Sequence, residues 1–150
     1  MREGDVVADF ALTDQRGTER KLSGLLADGP VVLFFYPAAM TTGCTAETCH
    51  FRDLSAEFAE LGAQPVGIST DSVAKQQKFA EAHGFGFPLL SDFDGAVARQ
   101  FGVKRRFGPI PVKRHTFVIN EQRRVLAVIR NEFRMAAHAD TALEVLRRGA

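Results

Sequence analysis

Two cysteines, Cys44 and Cys49, stand five residues apart with Glu47 between them, and they are the only thiols in the chain. Downstream, Phe51, Leu54, Phe58 and Leu61 recur at spacings of three, four and three. That recurrence predicts one helix from Gly43 to Leu61 with a single apolar face. At about 100° per residue, Cys44 lies roughly 60° from the centre of the apolar stripe and faces inward in the first turn. Glu47 falls near the stripe's centre, and Cys49 lands opposite it, beside Asp53, Ala56 and Glu60, facing out. A thiol in the first helical turn meets free backbone N–H groups and the positive end of the helix dipole. Both favour the thiolate, which is the nucleophile. A carboxylate aimed at the core needs a partner, so Glu47 predicts a cation supplied from elsewhere in the chain.

The pair can be read in several ways. In an intact helix, residues five apart have Cα atoms about 8.7 Å from one another, and a disulfide needs less than about 7 Å. Cys44 and Cys49 therefore bond only if the first turns of the helix unwind. A lone inward cysteine also serves as a small core hydrophobe. Cys44, Cys49 and His50 offer three metal ligands, but their spacing is not that of a usual zinc knuckle and no second cysteine cluster exists. Cys-x4-Cys-His also has the look of a stretched covalent haem site, without an export signal or a clear partner ligand. His50, His83, His115 and His138 are read as surface or capping residues.

The elements that must position this helix follow from the surrounding pattern. Ala8, Phe10 and Leu12 alternate with polar residues, Asp14-Gln15-Arg16-Gly17 is a turn, and Thr18 to Leu22 returns, giving an N-terminal hairpin. Val31 to Tyr36 is a continuous apolar run, expected for a strand covered on both faces, and Pro37 ends it. Gly62 closes the cysteine helix. Val66 to Ser69 is a strand, Val73 to His83 a helix capped by Gly84, and Pro88 to Ser91 a brief strand. Asp94 to Phe101 is a short helix closed by Gly102. Two strands, Thr116 to Ile119 and Val125 to Ile129, flank the turn Asn120 to Arg123, and a helix from Ala139 to Leu146 ends the chain. Alternating β and α units imply a parallel sheet with helices on both faces, extended by the antiparallel hairpin. The expected fold is α/β in a single domain over residues 1–150, a central mixed sheet with the layout of the thioredoxin-like fold, although the pattern alone also allows other doubly wound domains.

Composition bounds the function. Hydrophobic residues make up 45% and charged residues 25%, the balance of an ordinary globular domain. A formal net charge of +1 argues against general attraction to nucleic acid or to an anionic membrane. The basic cluster Lys104, Arg105, Arg106, Lys113 and Arg114 reads largely as a solvated loop. Met1 to Asp5 has no apolar signal core and no apolar run is long enough to span a bilayer, so a cytoplasmic location is expected. There thiols stay reduced, and a cysteine pair reads first as catalytic or metal-binding.

The segment from Phe35 to Cys49 resembles the active-site signature of the peroxiredoxins, and more narrowly that of the bacterioferritin-comigratory, or Q-type, subfamily. Pro37, Thr41 and Cys44 match the family's P-x-x-x-T-x-x-C. Cys49 matches the subfamily's second cysteine five residues on, and Glu47 the acid between them. Val6-Val7-Ala8-Asp9-Phe10 with Leu12, Pro88 to Asp92, and Arg114 to Ile119 resemble further family segments, so the likeness covers nearly the whole chain. Thr42 departs from it, standing where the family most often has proline, which implies a less rigid loop.

The resemblance implies a thiol peroxidase that reduces hydrogen peroxide and organic hydroperoxides. It gives Cys44 the role of peroxidatic nucleophile and Cys49 that of resolving cysteine, the two closing an intramolecular disulfide. Thr41 and Arg114 would bind the peroxide, backbone N–H groups at Gly43 and Cys44 its second oxygen, and Pro37 would shield the sulfur. Arg114 is also the natural partner for Glu47. Thioredoxin or a similar dithiol would restore both thiols, with no cofactor and no metal. The protein would be a monomer or a weak homodimer. The loop Phe107-Gly108-Pro109-Ile110-Pro111-Val112 would line the pocket or a weak dimer contact. A redox sensor signalling to a partner protein would use the same residues, whereas a general disulfide oxidoreductase favours Cys-x-x-Cys.

Overall fold

A computed structural model of the chain describes residues 1–105, 108, 110–132 and 134–149. Seven strands join in one mixed sheet: β1 (Ala11–Thr13), β2 (Glu19–Lys21), β3 (Val31–Phe35), β4 (Gln64–Ser69), β5 (Leu89–Ser91), β6 (His115–Ile119) and β7 (Val125–Arg130). Their order is β2-β1-β5-β4-β3-β6-β7. β3, β4 and β5 run parallel. The hairpin β6–β7 adds antiparallel to β3 at one side, and the hairpin β1–β2 adds antiparallel to β5 at the other. The helices are α1 (Leu22–Leu25), α2 (Thr42–Asp53), α3 (Ser55–Glu60), α4 (Val73–His83), α5 (Ala96–Gln100) and α6 (Met135–Gly149). This is the expected α/β thioredoxin-like layout.

The sequence of β3 explains why both faces are covered. Side chains alternate across a strand, so Val32, Phe34 and Tyr36 point to one face and Val31, Leu33 and Phe35 to the other, and all six are buried. The first set packs with Phe51, Phe58, Phe79 and the α6 residues Ala139, Ala142, Leu143 and Leu146. The second packs with Leu22, Leu25, Val97, Phe101 and Phe117. Gly67 in β4 leaves room for the crossing rings. A Cβ there would stand 3.0 Å from both Phe34 and Tyr36 ring atoms and 2.8 Å from Leu89.

Three expectations change. The single helix over 43–61 divides at Leu54, where the backbone leaves helical geometry (φ −99°, ψ 12°). The Ser55 hydroxyl donates to the Arg52 carbonyl at 2.7 Å and reaches that of Phe51 at 3.4 Å, a local back-bond that bends helices. The N-terminal strand lies at Ala11–Thr13 rather than at Ala8 to Leu12. The last helix starts at Met135, four residues earlier than expected. Asn131 accepts from the Arg134 N–H ahead of it at 2.7 Å. Among the described residues no helix is long and apolar enough to cross a membrane.

Candidate active site

The site is assembled where β3 ends and α2 begins. After Pro37, which is half-buried, the chain turns through Met40, a non-glycine residue held at φ +68°. Asp71, just beyond β4, fixes this loop from outside: its Oδ2 accepts the Ala39 N–H at 2.6 Å and the Ser69 hydroxyl at 2.7 Å. Thr41 is the N-cap residue of α2, with extended backbone, but its hydroxyl caps nothing and donates instead to the Ala38 carbonyl at 2.8 Å. Thr42 is then the first helical residue and Cys44 the third, so the N–H of Cys44 belongs to the first turn and lacks an intrahelical partner.

Cys44 is fully buried, as is Glu47 one turn on, and Arg114 joins them from the segment before β6. Its guanidinium reaches the Cys44 Sγ through Nη2 at 3.4 Å and donates to Glu47 Oε1 through Nη1 at 3.2 Å. The cation demanded by Glu47 is thus Arg114, which leaves the surface cluster it was grouped with and lies 8% exposed. Of the other members, Arg105 pairs with Glu132 at 3.3 Å, and Arg106 lies outside the described residues. Glu132 also accepts the Arg114 backbone N–H at 3.1 Å. Gly43 flanks the fork: a Cβ there would stand 3.4 Å from Nη2 of Arg114 and 3.6 Å from Met135 Sδ.

The charges are strongly perturbed. Burial pushes the Glu47 carboxyl from its ordinary 4.5 up to about 8, against the pull of Arg114. Burial acts to lower the Arg114 guanidinium, but Glu47 and Cys44 outweigh it and hold it above its usual value. Two buried polar atoms of this cluster, Glu47 Oε2 and Arg114 Nε, have no hydrogen-bond partner among the described residues.

Cys49 differs from expectation. It is half-buried and packs against the core cluster to which both α2 and the neighbouring α6 contribute. Both thiols are free, and the intervening helix is continuous, with Thr48 donating to the Cys44 carbonyl at 2.7 Å. Neighbouring His50 is turned to Asp140 on α6 at 2.7 Å. Among the described residues no group of three or more His, Cys, Asp or Glu side chains is placed to hold a metal ion. Of the loop at 107–112, Phe107 and Pro109 lie outside the described residues, Ile110 is exposed, and Val112 is buried.

His138 also departs from the sequence expectation. His138 is not a surface group: it is fully buried beneath Glu47, with Nε2 at 3.5 Å from Glu47 Oε2. Its Nε2 is also 2.7 Å from the Asn131 carbonyl, and Nδ1 is 2.7 Å from Thr116 Oγ1. A signal for it was present. His138, Ala139, Ala142, Leu143 and Leu146 share the buried stripe of α6, so a histidine in that register faces the core.

Comparison with known proteins gives the same picture. The model of the AhpC/TSA family matches residues 4–128. The crystal structure of peroxidoxin BcpB from Mycobacterium tuberculosis superposes with a TM-score of 0.95 at 65% identity, covering 99% of this chain and 97% of that one. The chloroplastic peroxiredoxin Q of Sedum lineare is 38% identical over 97% of this chain and 78% of its own length. A Xanthomonas campestris bacterioferritin comigratory protein, solved in trapped-intermediate and ligand complexes that bear on its alkyl peroxide reduction, has a TM-score of 0.85. It is 34% identical and covers 93% of this chain and 91% of its own.

Proposed function

The chain belongs to the AhpC/TSA family as a Q-type peroxiredoxin and is a peroxidase, and from that premise we propose that Cys44 is its peroxidatic nucleophile and Cys49 its resolving partner. The observation that carries the assignment is the single Arg114 guanidinium in contact with both the Cys44 sulfur and Glu47. A fixed planar cation beside a buried thiolate stabilises charge on the sulfur and on the oxygen that departs from it.

In the first step the Cys44 thiolate attacks one peroxide oxygen. An S–O bond forms as the O–O bond breaks, sulfur is oxidised to sulfenic acid, and the second oxygen leaves as alkoxide or hydroxide and takes up a proton. Arg114 stabilises that leaving oxygen, together with the first-turn N–H groups of Gly43 and Cys44. The Thr41 hydrogen is committed to the Ala38 carbonyl, so its oxygen is free to accept the peroxide O–H. Pro37 closes the loop over the sulfur. A low thiol pKa does not by itself give speed, since nucleophilicity falls with it. The acceleration comes from donors that hold the transition state better than the bound peroxide.

In the second step the Cys49 thiol attacks the Cys44 sulfenic sulfur, an S–S bond forms and water leaves. The helix geometry forbids this while α2 is intact. The first turns unwind, which breaks the Thr48 bond to the Cys44 carbonyl. An external dithiol, thioredoxin or its like, then reduces the disulfide and is itself oxidised. We treat residues 1–150 as one domain carrying the whole cycle, because all seven strands share one sheet. Hydrogen peroxide and alkyl hydroperoxides are the proposed substrates; the Xanthomonas relative is described by its alkyl peroxide reduction.

Thiol counting tests the cycle. Wild-type protein should lose two free thiols per peroxide without forming dimers, and Cys49→Ser should halt at sulfenic acid and over-oxidise with excess peroxide. Normal thioredoxin-linked turnover by Cys49→Ser would remove Cys49 from the mechanism.

A further inference from the structure

Glu47 presents an accounting problem that Arg114 alone does not solve. One of its oxygens receives Arg114, while Oε2 is buried with no hydrogen bond among the described residues. A carboxylate oxygen buried without a partner is costly. His138 Nε2 lies 3.5 Å from it. The partners of that ring fix where its hydrogens lie. The Asn131 carbonyl, 2.7 Å from Nε2, is an acceptor only, so Nε2 carries a hydrogen. Thr116 Oγ1, 2.7 Å from Nδ1, can donate to a neutral ring or accept from a protonated one. The ring therefore keeps every partner in both charge states, a property that a merely space-filling residue does not need.

We propose that His138 is a positioning residue of the peroxidase, holding one proton in common with Glu47 so that Arg114 keeps its charge for the Cys44 sulfur and the peroxide. With the proton on the pair, the cluster of Cys44 thiolate, Arg114, Glu47 and His138 is neutral. Without it the cluster carries one extra negative charge, and Arg114 is drawn toward Glu47. The proton belongs to the pair and not to either residue. The shifts agree in direction. Burial raises the Glu47 carboxyl, and burial lowers the His138 ring, the Asn131 carbonyl opposing and Arg114 adding to the fall. The other ionisable groups acting on the pair are Arg114 just before β6, His115 at its start, and Glu132 after β7, with Arg105 paired to it; Cys44 on α2 acts on Arg114.

The inference rests on the Cys44 reading, and its test separates the two. The rate constant for sulfenate formation is measured from pH 6 to 9.5 by competition for hydrogen peroxide against a haem peroxidase. Inactive Cys44→Ser keeps the Cys44 reading; an active variant removes it, whatever the pH profile. The wild-type rate should fall on an alkaline limb as the pair loses its proton. Glu47→Gln should abolish that limb. His138→Leu should move it downward by about one pH unit, a tenfold loss in proton affinity, and the double variant should match Glu47→Gln. Should His138→Leu fail to fold, His138→Gln keeps an N–H for Asn131 but holds no proton, and supplies the same readout with the limb again moved downward. A limb that stays in place in the folded His138 variants, persists in Glu47→Gln, or is absent from the wild type overturns the proposal.

Discussion

Arg114 reaches the sulfur of Cys44 at 3.4 Å although seventy residues separate them in the chain. The contact exists because β6 lies beside β3 in the sheet, which brings the segment before β6 to the loop after β3. Charge alone does not define the contact, because the two terminal nitrogens serve two different atoms. Arg114→Lys should therefore fail as a conservative change. It keeps the charge and loses the fork, and the rate constant with peroxide should drop about 10²–10³-fold. Arg114→Ala should also destabilise the fold by about 1–3 kcal/mol, by leaving a buried Glu47 oxygen without its donor. Single-turnover kinetics and urea denaturation check the two halves.

Stability should fall as pH rises from 6.5 to 8. Glu47 has a folded pKa of about 8 against an ordinary 4.5, so between those values the native state binds the extra proton. The stability this confers is complete below 4.5 and is lost as pH climbs through 8. His115, which burial lowers to about 4, acts the other way, as does His138. The stability they hold above 6.5 is lost as pH falls. Above 6.5 the Glu47 slope stands alone among these three groups. Urea midpoints measured at pH 6.5, 7.25 and 8 should decline in the wild type and stay nearly level in Glu47→Gln.

Asp71 should control how firmly the Pro37–Thr41 loop is held. It joins the Ala39 N–H to the Ser69 hydroxyl, and Ser69 in turn receives Gln76. Asp71→Ala should cost about 1.5–3 kcal/mol, the range for hydrogen bonds to a charged group. Hydrogen exchange over residues 38–44 should speed up, and disulfide formation should accelerate, since the loop and first turn must open for it.

Thr42→Pro should do the opposite. Thr42 is the first residue of α2, where a missing N–H breaks no helical bond and the fixed φ suits the helix. The substitution should add about 0.4–1 kcal/mol by restricting the unfolded chain. The peroxide rate should hold, and resolution by Cys49 should slow. Stopped-flow thiol loss separates the two steps.

Much of this site was legible in the sequence because it depends on local period. The register of Phe51 and Phe58 placed Cys44 and Glu47 on the buried face, and a buried carboxylate called for a cation. What failed depended on packing between distant elements. Cys49 reads as outward-facing because the apolar stripe records only the period of its own helix, whereas the neighbouring α6 packs beside α2 on the same face of the sheet. The break at Leu54 turns on one serine hydroxyl choosing a carbonyl. Residue type alone does not mark His138 as buried. The period of its own helix, with Ala142 and Leu146 on the same stripe, placed it inside. The roles of Thr41, Pro37 and Arg114 came from resemblance, since no period or spacing marks a hydroxyl or a guanidinium for peroxide.

The central claim is that Cys44 is the atom that peroxide oxidises, and trapping the sulfenic acid tests it most directly. Cys49→Ser protein is treated with one equivalent of hydrogen peroxide in the presence of dimedone, and the adduct is located by peptide mass spectrometry. One adduct per chain on Cys44 is expected, together with no peroxide consumption by Cys44→Ser. Peroxide consumption by Cys44→Ser at the wild-type rate, or no adduct on Cys44 in Cys49→Ser, would contradict the account.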